Sequence, residues 1–153
     1  MKKNESTPAV QDFKFSCEVE VRFRDLDAMG HVNNAVYFTF FEIARTGYMQ
    51  ALGHYSDKDD LFDLYPFILL DVQCRYLSAA VLSERLVVHL RTVRIGNKSY
   101  QFEYLITAKA DNRPVGVGRS TQVYYSYQQQ KTLPIPDAFR QCIEKLEARS
   151  FDL

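Results

Sequence analysis

The apolar positions of this chain change period several times. From Phe15 to Phe23 they alternate, with Phe15, Cys17, Val19, Val21 and Phe23 on one side and Ser16, Glu18, Glu20 and Arg22 on the other. A period of two predicts a strand with one buried face. Ile68–Tyr76 alternates in the same way, placing Ile68, Leu70, Val72, Cys74 and Tyr76 together. Arg85–Ile95 is strand-like but more mixed, and Gly96-Asn97 after it reads as a hairpin turn. Ser99–Ala108 lines up Tyr100, Phe102, Tyr104 and Ile106, and Asp111–Pro114 is the next turn. Val115–Tyr127 is a last long strand. Leu133–Pro136 breaks the pattern, and a short amphipathic helix over Asp137–Arg149 closes the chain.

After Asn34 the period becomes helical. Tyr37, Phe40, Phe41, Ala44, Gly47, Tyr48, Ala51 and Leu52 share one arc, against Thr39, Glu42, Thr46 and Gln50 on the other. Phe38 and Met49 widen the apolar side until only a narrow polar strip is left, so the helix is expected to be nearly all buried. Asn33 or Asn34 is expected to cap its start and Gly53 to stop it. About 19 residues give a length of roughly 28 Å, and strands of about 10 residues reach nearly as far. The predicted class is α+β, a long antiparallel sheet curled round one central helix.

Composition narrows the function classes. The chain has 153 residues, 46% of them hydrophobic, which fits one globular domain. Nineteen basic and 19 acidic residues cancel, which argues against a dedicated nucleic-acid binder. No apolar run approaches the ~20 residues that span a bilayer. The start, MKKNESTPAVQD, lacks the apolar core of a secretory signal. Residues 1–12 are therefore expected to form a disordered tail and residues 13–153 the domain. Cys17, Cys74 and Cys142 are scattered and form no CxxC, so reduced thiols, no metal and a cytoplasmic location are expected.

The chemistry concentrates between strand one and the helix, in RDLDAMGHVNNAVYFTFFEIAR, Arg24–Arg45. Asp25, Asp27, Gly30, His31, Asn33 and Asn34 fall together where the helix begins. A helix N-terminus offers unpaired N–H groups and a partial positive charge to an anion or a polarising carbonyl. A carboxylate held beside such a carbonyl suits hydrolysis of an activated acyl group. Gly30 permits the tight return that this needs. The same residues also suit plain capping and turning, and local chemistry does not choose between Asp25 and Asp27. His31, His54 and His89 are each compatible with structural hydrogen bonding. Glu42 and Arg45, three apart, are placed to pair on the helix.

The string Asp25-Leu26-Asp27-Ala28-Met29-Gly30-His31-Val32-Asn33-Asn34, followed by Tyr37, Phe41, Glu42, Ala44 and Arg45, resembles the signature of the hotdog-fold acyl-CoA thioesterases, in the group that includes 4-hydroxybenzoyl-CoA thioesterase. The resemblance runs from Phe15 nearly to the end and includes Ile135–Arg140. It implies a hotdog fold and hydrolysis of an acyl-CoA, with coenzyme A part of the substrate and no separate cofactor. It also implies that Asp27 is the catalytic carboxylate and that the backbone N–H near Asn34 polarises the thioester carbonyl. His31 matches the histidine of a subset that also carries a catalytic Asn two residues earlier. Met29 stands there instead, so the role of His31 is open. Gly30, Asn33 and Tyr37 fall within the implied substrate site, and Glu42 is a minor rival to Asp27.

Coenzyme A carries phosphates, and seven Lys/Arg against two acids between Arg85 and Arg119 suggest Lys98 and Arg119 as contacts. Solvated strand faces explain that charge equally well. Asp57–Asp63 is acidic by contrast. The resemblance further implies a homodimer or homotetramer, which would cover an otherwise exposed edge strand. A non-catalytic acyl-CoA-binding protein on the same fold is the alternative; a hydratase is disfavoured for want of its motifs.

Overall fold

In the computed structural model residues 6–53 and 66–152 are described; His54 and the acidic Asp57–Asp63 lie outside them. The elements are β1 (Phe15–Glu20), α1 (Val36–Ala51), β2 (Phe67–Tyr76), β3 (Arg85–Ile95), β4 (Ser99–Ala108), β5 (Pro114–Ser126), β6 (Lys131–Thr132) and α2 (Asp137–Glu147). The long strands pair antiparallel in the order β1-β3-β4-β5-β2, with β6 on β5. The sheet curls and carries one long helix and one short one. This is the antiparallel sheet round one helix that the alternating and helical segments predict, and the hotdog fold that the resemblance implies.

The core is the aromatic face of α1 against the inward residues of β4 and β5. Tyr100, Phe102, Tyr104 and Ile106 are all fully buried, as are Phe41, Ala44 and Tyr48. On β5 the inward positions are small or polar, namely Gly116, Gly118, Ser120 and Gln122. Tyr37 lies over Gly116 and Phe41 over Gly118, where a β-carbon would stand. Phe41 then stacks on Tyr104 with ring centroids 4.2 Å apart.

Three local expectations are corrected. β1 ends at Glu20, and a 3-10 turn over Phe23–Asp25 throws Phe23 outward to 82% exposure, although alternation placed it inside. A register shift between Leu69 and Asp71 reverses the phase of β2. Leu69 now pairs opposite the buried Gln122, and Leu70 turns out to solvent at 65% exposure. α1 is 16 residues rather than 19, about 24 Å long. It starts at Val36 with Ala35 as N-cap, while Gly53, at φ +68°, terminates it as expected.

The expected N-terminal tail is placed from Ser6 onward. It makes a 3-10 turn at Val10–Asp12 and lies against Arg91, whose guanidinium sits 5.0 Å from the Phe13 ring centre and 3.8 Å from Asp12. At the other end α2 buries Phe139 and Ile143. Its Glu147 accepts hydrogen bonds from the Tyr48 hydroxyl (2.6 Å) and the Thr92 N–H (2.8 Å).

Candidate active site

The two aspartates of the DxD string have separate environments. Asp25 closes the 3-10 turn and is 2% exposed. It accepts from the Arg22 backbone N–H (2.8 Å), Nε (3.1 Å) and Nη2 (2.8 Å). Those bonds hold its carboxyl below the usual carboxylate range. Its own backbone carbonyl receives the Asn33 N–H at 2.8 Å, which ties the approach to α1 onto the aspartate turn. Asp25 is thus the anchor of the site. A carboxyl whose folded pKa is depressed stabilises the fold above its unfolded pKa of ~3.9 and loses that contribution as pH falls through the folded value. Asp25→Ala is expected to cost about 2 kcal/mol at pH 7, mainly through the unsatisfied backbone N–H of Arg22. The difference from wild type should shrink in urea melts taken progressively below pH 4; an equal gap at pH 7 and pH 3 would contradict it.

Asp27 sits in a tight hairpin closed by the Leu26–Val32 bridge. Its backbone N–H donates to the His31 carbonyl at 2.8 Å. Its Oδ1 accepts from the N–H groups of Met29 (2.9 Å) and His31 (3.3 Å), while Oδ2 has no partner among the described residues. The hairpin turns on Gly30 at φ +77°, with open space where a β-carbon would be, so conformation alone calls for glycine there. The capping reading and the catalytic one are therefore compatible: one oxygen holds the turn and the other is available.

Asn33 Oδ1 accepts from the Ala35 N–H at 2.9 Å, one residue ahead of the helix proper, so neither asparagine is the N-cap. The carbonyl of Asn34 is held by the Tyr76 hydroxyl at 3.0 Å. Its backbone N–H finds no acceptor among the described residues. Asp27, His31, Asn33 and Asn34 are thus brought together at the start of α1. Tyr37 is buried among rings, 4.9 Å from Tyr76 and 6.1 Å from Phe40, and belongs to the core beneath the site.

Other expected residues lie elsewhere. Lys98 is in the β3–β4 turn, whereas the aspartate hairpin meets the chain near Ala80 and Val81, at the opposite end of β3. The length of the strand, roughly 30 Å, separates them. Arg119 lines a cavity of about 200 Å³ with Arg75, Ser6 and Pro8 and lies 3.4 Å from Glu103. Asp27 does not line that cavity. Glu42 and Arg45 do not pair: Glu42 is exposed, and Arg45 is buried and donates to the Tyr104 hydroxyl at 3.2 Å. Behind them a polar thread continues from Tyr104 to Ser120 (2.6 Å), which also receives the Gln122 side-chain N–H. Sequence reasoning missed this thread. Its signal was the period-two run of small and polar residues at 116, 118, 120 and 122.

Among the described residues no group of three or more His, Cys, Asp or Glu is placed to hold a metal ion. No helix among them is long and apolar enough to cross a membrane.

Fold and hairpin together define a hotdog protein of thioesterase type. The family described as the Thioesterase-like superfamily matches residues 21–143, and the chain belongs to it. The long-chain acyl-CoA thioesterase FadM of Escherichia coli (strain K12) is 27% identical over 131 residues, 84% of this chain and 96% of that protein. YsmA of Bacillus subtilis (strain 168), an uncharacterized protein, is 31% identical over 93 residues, 61% of this chain and 60% of that one. The match with YsmA thus spans less than two thirds of it. A thioesterase of Thermus thermophilus, solved with coenzyme A and Zn, superposes with a TM-score of 0.81 at 33% identity, covering 92% of this chain and 99% of that one.

Proposed function

We propose that the chain is an acyl-CoA thioesterase, adding water across a thioester to release coenzyme A thiol and a carboxylic acid. The observation that carries this is the juxtaposition at the start of α1. Asp27 presents an unpartnered Oδ2, and the Asn34 N–H lacks an acceptor among the described residues. In this reading the Asn34 amide polarises the thioester carbonyl. Asp27 attacks the carbon or activates the water that does, and no metal takes part. His31, fixed through its backbone to Asp27, positions the turn. Similarity to FadM and to a thioesterase solved with coenzyme A supports the substrate class. Thiol release from a panel of acyl-CoAs, followed colorimetrically, tests it. Tight acyl-CoA binding with no thiol release from any of them would return the non-catalytic alternative.

The same reading includes a homo-oligomer in the cytoplasm, joined through β2. That strand is an edge, and Ile68, Leu69 and Leu70 on it are exposed. A second copy pairing antiparallel along β2 extends the sheet and covers these side chains. It also brings the Phe67 end of one copy beside the Tyr76 end, and hence the Asn34 turn, of the other. Lys98 can serve the coenzyme only across such an interface; Arg119 is kept as a phosphate contact on the outer cavity. Leu70→Lys is expected to shift sedimentation to the monomer and to lower turnover at least ~10-fold, because each site loses its neighbouring wall. A fully active wild-type monomer would overturn the dimeric site.

A further inference from the structure

Where α1 passes the start of β2, Glu42, Arg45, Thr46 and Phe67 line a cavity of about 250 Å³. Arg45 is the unusual member. It is 8% exposed, yet among the described residues its side chain's one hydrogen bond goes to a neutral group, the Tyr104 hydroxyl. No carboxylate lies within ion-pair distance of it among the described residues. Of the buried carboxylates among the described residues, Asp25 is paired with Arg22 and Glu103 with Arg91 and Arg119, while Glu147 takes hydrogen bonds from the Tyr48 hydroxyl and the Thr92 N–H. A guanidinium has five donors in a planar fork. Sequestering it with one neutral acceptor costs free energy that an incoming anion would offset.

The cavity lies along α1 from the Asp27 hairpin. At the near end, the Tyr76 hydroxyl on β2 is bonded to the Asn34 carbonyl at the start of α1. At the far end, Arg45 on α1 and Phe67 on β2 share the cavity. Both ends lie where α1 passes the edge strand β2, and between them Tyr37 packs on Tyr76 and Phe41 lies over Gly118. From Asn34 to Arg45 the helix advances about 16 Å. An extended chain covers ~3.4 Å for every three bonds, so that distance corresponds to roughly 14 bonds. A volume near 250 Å³ is below that of pockets that enclose a whole ligand, and suits the end of one.

We propose that Arg45 selects the acyl group: the cavity takes the far end of a chain that terminates in a carboxylate, bound by the free face of the guanidinium. This rests on the thioesterase reading and names its substrate class, an ω-carboxyacyl thioester. The thread from Tyr104 through Ser120 to Gln122 holds the guanidinium from behind. Glu42 lines the same cavity but is exposed, so its charge opposes the ligand only weakly.

Two measurements on the full-length protein test this. The first is the ratio of kcat/KM for ω-carboxyacyl-CoAs to that for methyl-ended acyl-CoAs of equal length. The wild type should favour the carboxylate at least tenfold. Arg45→Met should reduce that ratio at least tenfold, Arg45→Lys should restore part of it, and Glu42→Gln should raise it about threefold. The second needs no turnover. Free long-chain dicarboxylic acids should raise the melting temperature more than monocarboxylic acids of the same length, and Arg45→Met should abolish the difference. Should Arg45→Met fail to fold, Glu42→Gln and the wild-type ratios still decide. Equal preference for both chain ends, with no differential stabilisation, would overturn the proposal even if hydrolysis is fast. Differential stabilisation without hydrolysis would support it and sink only the enzymatic reading.

Discussion

Asp27→Asn is expected to lower thiol release from the best acyl-CoA at least ~100-fold, with the melting temperature shifted by only a few degrees. The geometry separates the two effects. Asp27 Oδ1 is engaged by the Met29 and His31 amides, and an Asn side chain oriented the same way keeps its carbonyl oxygen on both. What the substitution removes is the negative charge, and with it both the attack on the thioester and the activation of water. A hundredfold loss is about 2.7 kcal/mol of barrier. Asp27→Ala should lose the same activity and also loosen the hairpin, since two backbone N–H groups are left without their acceptor. The comparison is informative because a merely structural Asp27 predicts the reverse order: Asn harmless, Ala harmful, and activity following stability in both. Unchanged turnover in a folded Asp27→Asn protein would remove this carboxylate from the chemistry. Single-turnover hydrolysis in labelled water then distinguishes attack from water activation, because only covalent attack places the label in the enzyme.

Much of this arrangement is legible in the sequence, and the parts that are not have physical reasons. β4 is located to the residue because its alternation and turn chemistry agree, and β3, whose pattern is more mixed, because the Gly96-Asn97 turn ends it. The buried arc of α1 is likewise readable, since Tyr37, Phe40, Phe41, Ala44 and Tyr48 fall on one side at helical spacing. Alternation misplaces Phe23 and Leu70 because it assumes an unbroken strand, and both lie at an interruption, a 3-10 turn and a bulge. Spacing cannot divide the roles of Asp25 and Asp27, because two such residues in an extended chain share a face. The turn at Phe23–Asp25 breaks that equivalence and buries only the first. Spacing also makes Arg45 a surface partner of Glu42, because i, i+3 charges usually meet on a helix. Here α1 is enclosed so far round that position 45 faces the sheet, and Tyr104 takes the place of the carboxylate. That β2 is the edge is seen only in the strand order, a long-range property that period does not encode.

The largest effect on stability is expected at Gly118. Replacing it by Ala should cost about 3 kcal/mol, lowering the melting temperature by roughly 10 °C for a chain of this size. Ordinarily Gly→Ala in a strand helps, since it restricts the unfolded chain. The sign changes here because a β-carbon at 118 would lie 2.5 Å from Phe41 Cζ and 2.7 Å from the Gln73 carbonyl oxygen. Neither neighbour yields cheaply. Phe41 is fully buried and stacked on Tyr104, so it cannot swing away without opening the core. The Gln73 carbonyl belongs to β2, paired to β5 through Cys74 and Gly118 themselves, so relief on that side parts the edge strand from the sheet. Gly116 is the internal control. A β-carbon there meets the Arg75 carbonyl and the Tyr37 ring at 3.5 Å, ordinary van der Waals contact, so Gly116→Ala should change stability by less than about 1 kcal/mol. Phe41→Leu should partly rescue Gly118→Ala, giving a favourable coupling in a double-mutant cycle. The consequence reaches the site, because Phe41 is one turn and a half from the start of α1. Pushing it off β5 tilts the helix whose approach is tied to the aspartate turn through the Asn33 N–H and the Asp25 carbonyl. Gly118→Ala should therefore lose turnover in excess of its loss of folded protein, and a variant melting with the wild type would show that helix and sheet are packed less closely than this geometry requires.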